Sequence, residues 1–205
     1  MSPTNPETND RMRQESRARI LENALQLFSE QGFDRTSVKQ LAETAGMSPG
    51  LVYHYFRSKD EVLRAIFQES VQQVQAAFAE AEAVADPGER IERLIRASLA
   101  GVRVHARFWR LFNGMRLHSR YLELIFKDGV QWTGTIRGTM ERYFREAGAA
   151  EPAVEAALLF ALIDGVTQHF VFEPARYPLE QMADRIALAY RRATNCQVFA
   201  LPPEG

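Results

Sequence analysis

The chain of 205 residues holds a single cysteine, Cys196. That excludes an intrachain disulfide and a thiolate metal cluster, and it fits a reducing, cytoplasmic setting. The four histidines (His54, His105, His118 and His169) show neither HxxxH nor HExxH spacing, so no zinc site is expected. There is no glycine-rich phosphate loop and no GxSxG elbow. Asp164 and His169 lie five apart on one predicted helix and cannot face each other as a catalytic pair. These absences point away from an enzyme and from any metal or cofactor. Net charge is −1, and residues 1–60 balance eight Lys/Arg against eight Asp/Glu. No basic field of the kind that binds nucleic acid without selectivity is present. No apolar run is expected to approach the length of a membrane span, and the polar start of the chain is not expected to act as a signal peptide. We find no internal repeat and no low-complexity segment.

What the sequence does have is helical periodicity along most of its length. Ile20, Leu21, Ala24, Leu25, Leu27 and Phe28 share one side of a helix over Arg17–Gln31, ended by Gly32. A long helix starting at Lys59 carries Val62, Leu63, Ile66, Phe67, Val71, Val74 and Phe78, until Asp86-Pro87-Gly88 breaks it. Another begins near Glu89. Residues 103–146 read less regularly, with Gly114, Gly129, Gly134 and Gly138 lowering helix propensity. Strong helices return over Pro152–Phe172 and Leu179–Arg192.

The stretch from Thr36 to Leu63 is the most informative. Ser37 and Gln40 have the spacing of a capping box, and Val38, Leu41, Ala42 and Ala45 form a buried stripe. Gly46 can take the positive φ that ends this short helix. Ser48 then caps a second helix with Pro49 in its first turn, Val52 and Phe56 inward, and Pro49, Gly50, Tyr53 and His54 pointing elsewhere. Helix, glycine turn, helix is the helix-turn-helix pattern, whose second helix enters the DNA major groove.

The run Gly46 to Leu63, behind a matching first helix from Arg17, resembles the DNA-binding domain of the tetracycline-repressor (TetR) family of bacterial regulators. The likeness covers about a quarter of the chain. It implies an all-α fold: an N-terminal three-helix helix-turn-helix domain joined by a long helix to a larger helical domain for ligand binding and dimerisation. The expected divisions are a flexible tip over 1–12, the DNA-binding domain over 13–60, the ligand and dimer domain over 61–193, and a tail over 194–205. Tyr53 resembles the family's phosphate-contacting tyrosine; Thr36, Tyr55 and Lys59 resemble positions that grip the backbone, although the family often has histidine where this chain has Tyr55. Ser48, Pro49 and Gly50, at the start of the reading helix, come closest to base edges, and His54 faces outward one turn on. Pro49 and Gly50 bring no hydrogen-bonding side chain, so readout there is expected by shape and thymine-methyl contact. Arg11, Arg13, Arg17 and Arg19 are either a solvated face or a contact to an adjacent groove.

The helix over Pro152–Phe172 is apolar nearly all round, which requires cover on both sides. A homodimer interface is expected from Leu158, Leu162, Gly165 and Val166 with Met182 and Ile186 of the next helix, with a place at the centre of a larger monomeric core as the competing reading. Phe108, Trp109, Phe112, Met115, Trp132, His169 and Phe170 form a candidate wall for a lipophilic or aromatic small-molecule effector; core packing is the competing reading of each. Arg103, Arg107 and Arg110 at i, i+4, i+7 would receive an anionic head or simply lie in solvent. The combined reading is a ligand-responsive regulator, with a repressor as its simplest form, binding an inverted-repeat DNA operator as a dimer. The alternatives are a constitutive or architectural DNA binder without a ligand, and an enzyme.

Overall fold

The computed structural model describes residues 6–116, 118–125 and 130–193. Ten helices and no strand occur among them: α1 (Pro6–Gln31), α2 (Val38–Thr44), α3 (Pro49–Tyr55), α4 (Lys59–Glu82), α5 (Pro87–Val104), α6 (Ala106–Met115), α7 (Ser119–Ile125), α8 (Val130–Glu146), α9 (Pro152–Phe172) and α10 (Leu179–Ala193). The all-α class read from periodicity is therefore the observed one. Two details differ from the sequence reading. Residues 6–12, expected as part of a flexible tip, continue α1 toward its N-terminus. Pro6 has the pre-set φ of a first helical residue, and each further residue adds one backbone bond once the helix is nucleated. Gly134 and Gly138 sit inside α8, because a cost of about 1 kcal/mol per glycine is small against the packing of a whole helix.

The chain divides into two compact units. The first comprises the residues up to Ser70 together with Leu111–Ile125, and the second Val71–Arg110 with the chain after Ile125. The division after the head thus falls at Ser70 rather than at residue 60, and the head gains a distant segment. The reason lies in the first turns of α4, where Val62, Leu63, Ile66 and Phe67 are at most 3% exposed. They share the unit's buried set with Ile20, Ala24 and Phe28 of α1, Leu41 and Ala42 of α2, and Val52 and Phe56. Phe33 meets Phe28 edge-on, 5.0 Å between centroids.

The second unit is built on α5, whose Ile91, Leu94, Ile95, Leu99 and Val102 are the i, i+3, i+4 stripe of one face and are all buried. Met140, Tyr143 and Phe144 of α8, Leu159, Val166 and Phe170 of α9, and Leu179, Ile186 and Tyr190 of α10 complete one core. Ion pairs Arg103–Glu180, Arg96–Asp184 and Arg191–Glu92 run along the α5–α10 seam. At the other edge Glu82 accepts from Arg142 at 2.9 Å and from the Tyr143 hydroxyl at 2.6 Å. The Arg142 bond, then the Tyr143 bond, hold the Glu82 carboxyl down at about 2.

One sequence expectation is overturned here. α9 is long and apolar enough, by length and composition, to cross a membrane. Its apolar residues run all round the helix, interrupted only by Glu155, Asp164 and the polar Thr167-Gln168-His169.

Candidate nucleic-acid interface

The geometry of the head follows from three local devices. Ser37 and Gln40 make the full capping box: the Gln40 N–H donates to Ser37 Oγ at 3.2 Å and the Ser37 N–H to Gln40 Oε1 at 2.8 Å. At the other end of α2, Gly46 takes φ +64°. The Met47 N–H then reaches the Ala42 carbonyl at 2.9 Å and the Gly46 N–H the Glu43 carbonyl at 3.1 Å, the paired bonds of a Schellman stop. Only two residues later, Ser48 Oγ accepts the Leu51 N–H at 3.2 Å and starts α3, with Pro49 in its first turn. The angle between the two helices is thus fixed by residues that are adjacent in sequence.

α3 is held by one fully buried side chain, Val52, and by Phe56 at its end. Everything else is turned outward. Ser48, Pro49, Gly50 and His54 are exposed, Tyr53 is 54% exposed, and Tyr55 is half-buried with its ring edge-on to His54 at 5.5 Å. A Cβ placed on Gly50 would meet no atom within 4 Å, so the protein's own packing does not require glycine there. Leu51, 39% exposed, belongs to the same surface and was not singled out from the sequence. The signal was available, since Leu51 lies off the Val52–Phe56 stripe. Arg35 before α2, Lys39 on α2 and Arg57 after α3 are exposed and add positive charge.

Two residues expected to grip a DNA backbone are engaged internally. Thr36 is 2% exposed and donates its hydroxyl to the Gly32 carbonyl at 2.9 Å. The Lys59 ammonium donates to the carbonyls of Phe33 (3.0 Å), Asp34 (3.3 Å) and Thr36 (3.3 Å) and lies 4.4 Å from the centre of the Phe33 ring. Both side chains brace the turn before α2. Arg17 likewise pairs with Glu69 and stacks on Phe56 at 5.5 Å; Arg11, Arg13 and Arg19 are exposed along α1.

The residues of the expected aromatic wall are divided between the two units. Phe112 and Met115 belong to the first unit, where Phe112 packs 6.0 Å from Phe67 and Met115 is buried. Phe108, Trp109 and Phe170 belong to the second. Phe108 and Phe170 are buried, and Trp109 packs against the core. His169 is exposed and stacks on Tyr177, so it leaves the wall. Trp132 lies on α8, with its side chain outside the described residues. Of the arginine stripe, Arg103 pairs with Glu180, Arg110 reaches the Val171 carbonyl at 3.4 Å, and all three are exposed. Of the expected dimer residues, Val166 (4% exposed) and Ile186 (6%) face their own core. Leu158, Gly165 and Met182 are half-buried, and Leu162 is exposed. With Leu162 go Val154, Ala157, Ala161 and Phe172, an exposed apolar stripe down one side of α9.

An all-helical chain whose N-terminal head presents a short, capped helix by its exposed face belongs to the helix-turn-helix class. Residues 20–66 match the family model of bacterial regulatory proteins, tetR family. The regulator UidR of Escherichia coli K12 is 39% identical over 67 residues, 33% of this chain and 34% of UidR. The chain thus spans about a third of the length of the curated relatives it matches first. BetI of Burkholderia ambifaria is 28% identical over 161 residues, 76% of this chain and 81% of BetI. The solved structure of AibR, in complex with isovaleryl coenzyme A and operator DNA, shares the fold with TM-score 0.69 at 22% identity, covering 84% of this chain and 96% of AibR. Residues 20–66 thus match the tetR family of bacterial regulatory proteins, and over the longer span the likeness to AibR is one of fold.

Proposed function

We propose that this protein is a transcriptional regulator that binds an inverted-repeat operator in double-stranded DNA as a homodimer and, in its simplest form, represses until a lipophilic or aromatic small molecule releases it. The observation that carries the reading is the surface of α3. Pro49, Gly50, Leu51, Tyr53 and His54 are turned to solvent on a helix that its own chain holds by Val52 and Phe56. Pro49, Gly50 and Leu51 suit apolar contact with thymine methyls, while Tyr53 and His54 carry donors for phosphate or base edges. Homodimerisation is supported by the bare stripe of α9, which a two-fold copy of itself would cover. Such a pair would set its two reading helices about 34–36 Å apart, one turn of DNA.

Release follows from linkage: an effector shifts the protein only by its difference in affinity for the DNA-competent and released states. The complex of AibR with a coenzyme A thioester supports an acyl or similarly lipophilic effector. The burial of Phe108 and Phe170 favours a second reading, a DNA binder whose distal core is filled and needs no ligand. Selection of bound duplexes from a random pool tests the first claim, and a recovered inverted repeat is the expected result. No enrichment would overturn it. Native mass spectrometry of the purified protein separates the two readings by the presence or absence of a displaceable small molecule.

A further inference from the structure

The turn Phe33–Thr36 sets where α2 begins, and two side chains distant in sequence hold it. Lys59 takes three of its carbonyls, as described. On the other side the hydroxyl of Tyr121, from α7, donates to the Asp34 carboxylate. The Tyr121 ring meets Phe33 edge-on at 5.9 Å and His118 at 5.7 Å. The pairing closes a loop of 87 residues and belongs entirely to the first unit. Yet residues 111–125 are joined covalently to the second unit at both ends, through Arg110–Leu111 within α6 and after Ile125. Tyr121, through its bond to Asp34, holds the turn from which the helix-turn-helix starts.

We infer that Tyr121 is a positioning residue for DNA recognition: through Asp34 and Phe33 it fixes the turn before α2, and so couples the second unit to the reading helix. The inference rests on the DNA-binding reading above and adds to it the route by which the second unit acts on the head. The bond joins a neutral hydroxyl to a charged acceptor, the stronger class of hydrogen bond. Its loss leaves the helices folded but the turn less ordered, and that order must then be restored on binding.

The test uses the full-length protein and a duplex enriched by selection. Tyr121→Phe keeps the ring and removes only the hydroxyl; Asp34→Asn removes the acceptor's charge from the other side. Each is expected to weaken duplex binding by roughly three- to tenfold, the double variant by no more than the stronger single, and the slope of affinity against salt to stay unchanged. Amide exchange of residues 33–37, measured without DNA, should speed up in all three variants. Wild-type affinity and wild-type exchange in both single variants would overturn the inference and leave the DNA-binding reading standing. Additive losses in the double variant would also overturn it, since the two groups would then act separately. A wild-type chain that enriches no duplex would remove the DNA-binding reading and the coupling with it.

Discussion

Replacing Lys59 by methionine separates two roles that this residue could have. As a phosphate contact, Lys59 would leave the fold intact when lost. As the brace seen here, it supports the head first. The size of the effect can be worked out from its contacts. The ammonium makes one bond at 3.0 Å and two at 3.3 Å, and sits 4.4 Å from the Phe33 ring. A hydrogen bond involving a charged group contributes about 1.5–3 kcal/mol net when well shielded. Here the site is only partly buried and one cation serves all three acceptors, so the set is worth about 2 kcal/mol rather than three times the single value. The cation–π contact adds roughly 0.5–1 kcal/mol. Methionine keeps the apolar stem, so little packing is lost. The sum, about 2–3 kcal/mol, lowers the melting temperature by roughly 5–10 °C in a chain of this length. Circular dichroism melts of Lys59→Met measure it. Binding isotherms over a range of salt provide the second readout. Each lost phosphate contact would flatten the slope of log affinity against log salt by about 0.9, whereas loss of an internal brace leaves that slope unchanged. An unaltered melting temperature together with a flattened slope would refute the reasoning.

The remaining predictions concern the second unit. The Tyr190 hydroxyl is buried without a hydrogen-bond partner, so Tyr190→Phe should stabilise the protein by about 1 kcal/mol; a fall in melting temperature would reveal a hydrogen bond that the geometry does not show. Leu162 is 37% exposed and Val166 only 4%, so Leu162→Glu should give a folded monomer in multi-angle light scattering, whereas Val166→Glu should unfold the unit. A dimeric Leu162→Glu variant would place the interface elsewhere. The Glu82 carboxyl is held at about 2, below its ordinary 4.5. Its folded value is thus the lower one, so its contribution is present above pH 4.5 and is lost as pH falls from there toward 2. Glu82→Gln should melt lower than wild type near neutrality and converge with it in acid; parallel curves would show that Glu82 carries none of the acid sensitivity.

How much of this was legible beforehand depended on the reach of each interaction. The capping box of Ser37 and Gln40, the stop at Gly46 and the cap at Ser48 span three to five residues, and their types and spacing announce them. Lys59 and Thr36 resemble positions that grip a DNA backbone, and residue type alone does not show that both are engaged internally. The partners of Lys59 are carbonyls brought close by the tertiary fold, 26 residues away in the case of Phe33, whereas Thr36 donates to the Gly32 carbonyl four residues back. Tyr121 was not singled out at all, because its partner Asp34 lies 87 residues earlier. The aromatic wall is divided between the two units for a related reason. Composition shows that residues are apolar but not which unit they join, and the division at Arg110–Leu111 runs through one helix.

α9 shows the same limit in its sharpest form. A helix apolar all round has no phase, so periodicity cannot tell inside from outside, and Val166 and Leu162 look alike until the core is assembled. The fold breaks the tie by covering one side with α5, α8 and α10 and leaving Val154, Leu162 and Phe172 bare. A lipid bilayer and a second protein copy could each cover such a stripe. The proposed homodimer takes the second of these. α5, α8 and α10 carry the ion pairs Arg96–Asp184, Arg103–Glu180 and Arg145–Glu141 on their exposed surfaces, and any of these charges that entered hydrocarbon with α9 would cost several kcal/mol apiece. A second copy asks for no such burial. It needs only a matching stripe, which a two-fold axis supplies without further design, and Ala157, Ala161 and Gly165 keep the approach close. The oligomeric state of Leu162→Glu is therefore also a test of what the apolar composition of α9 is for.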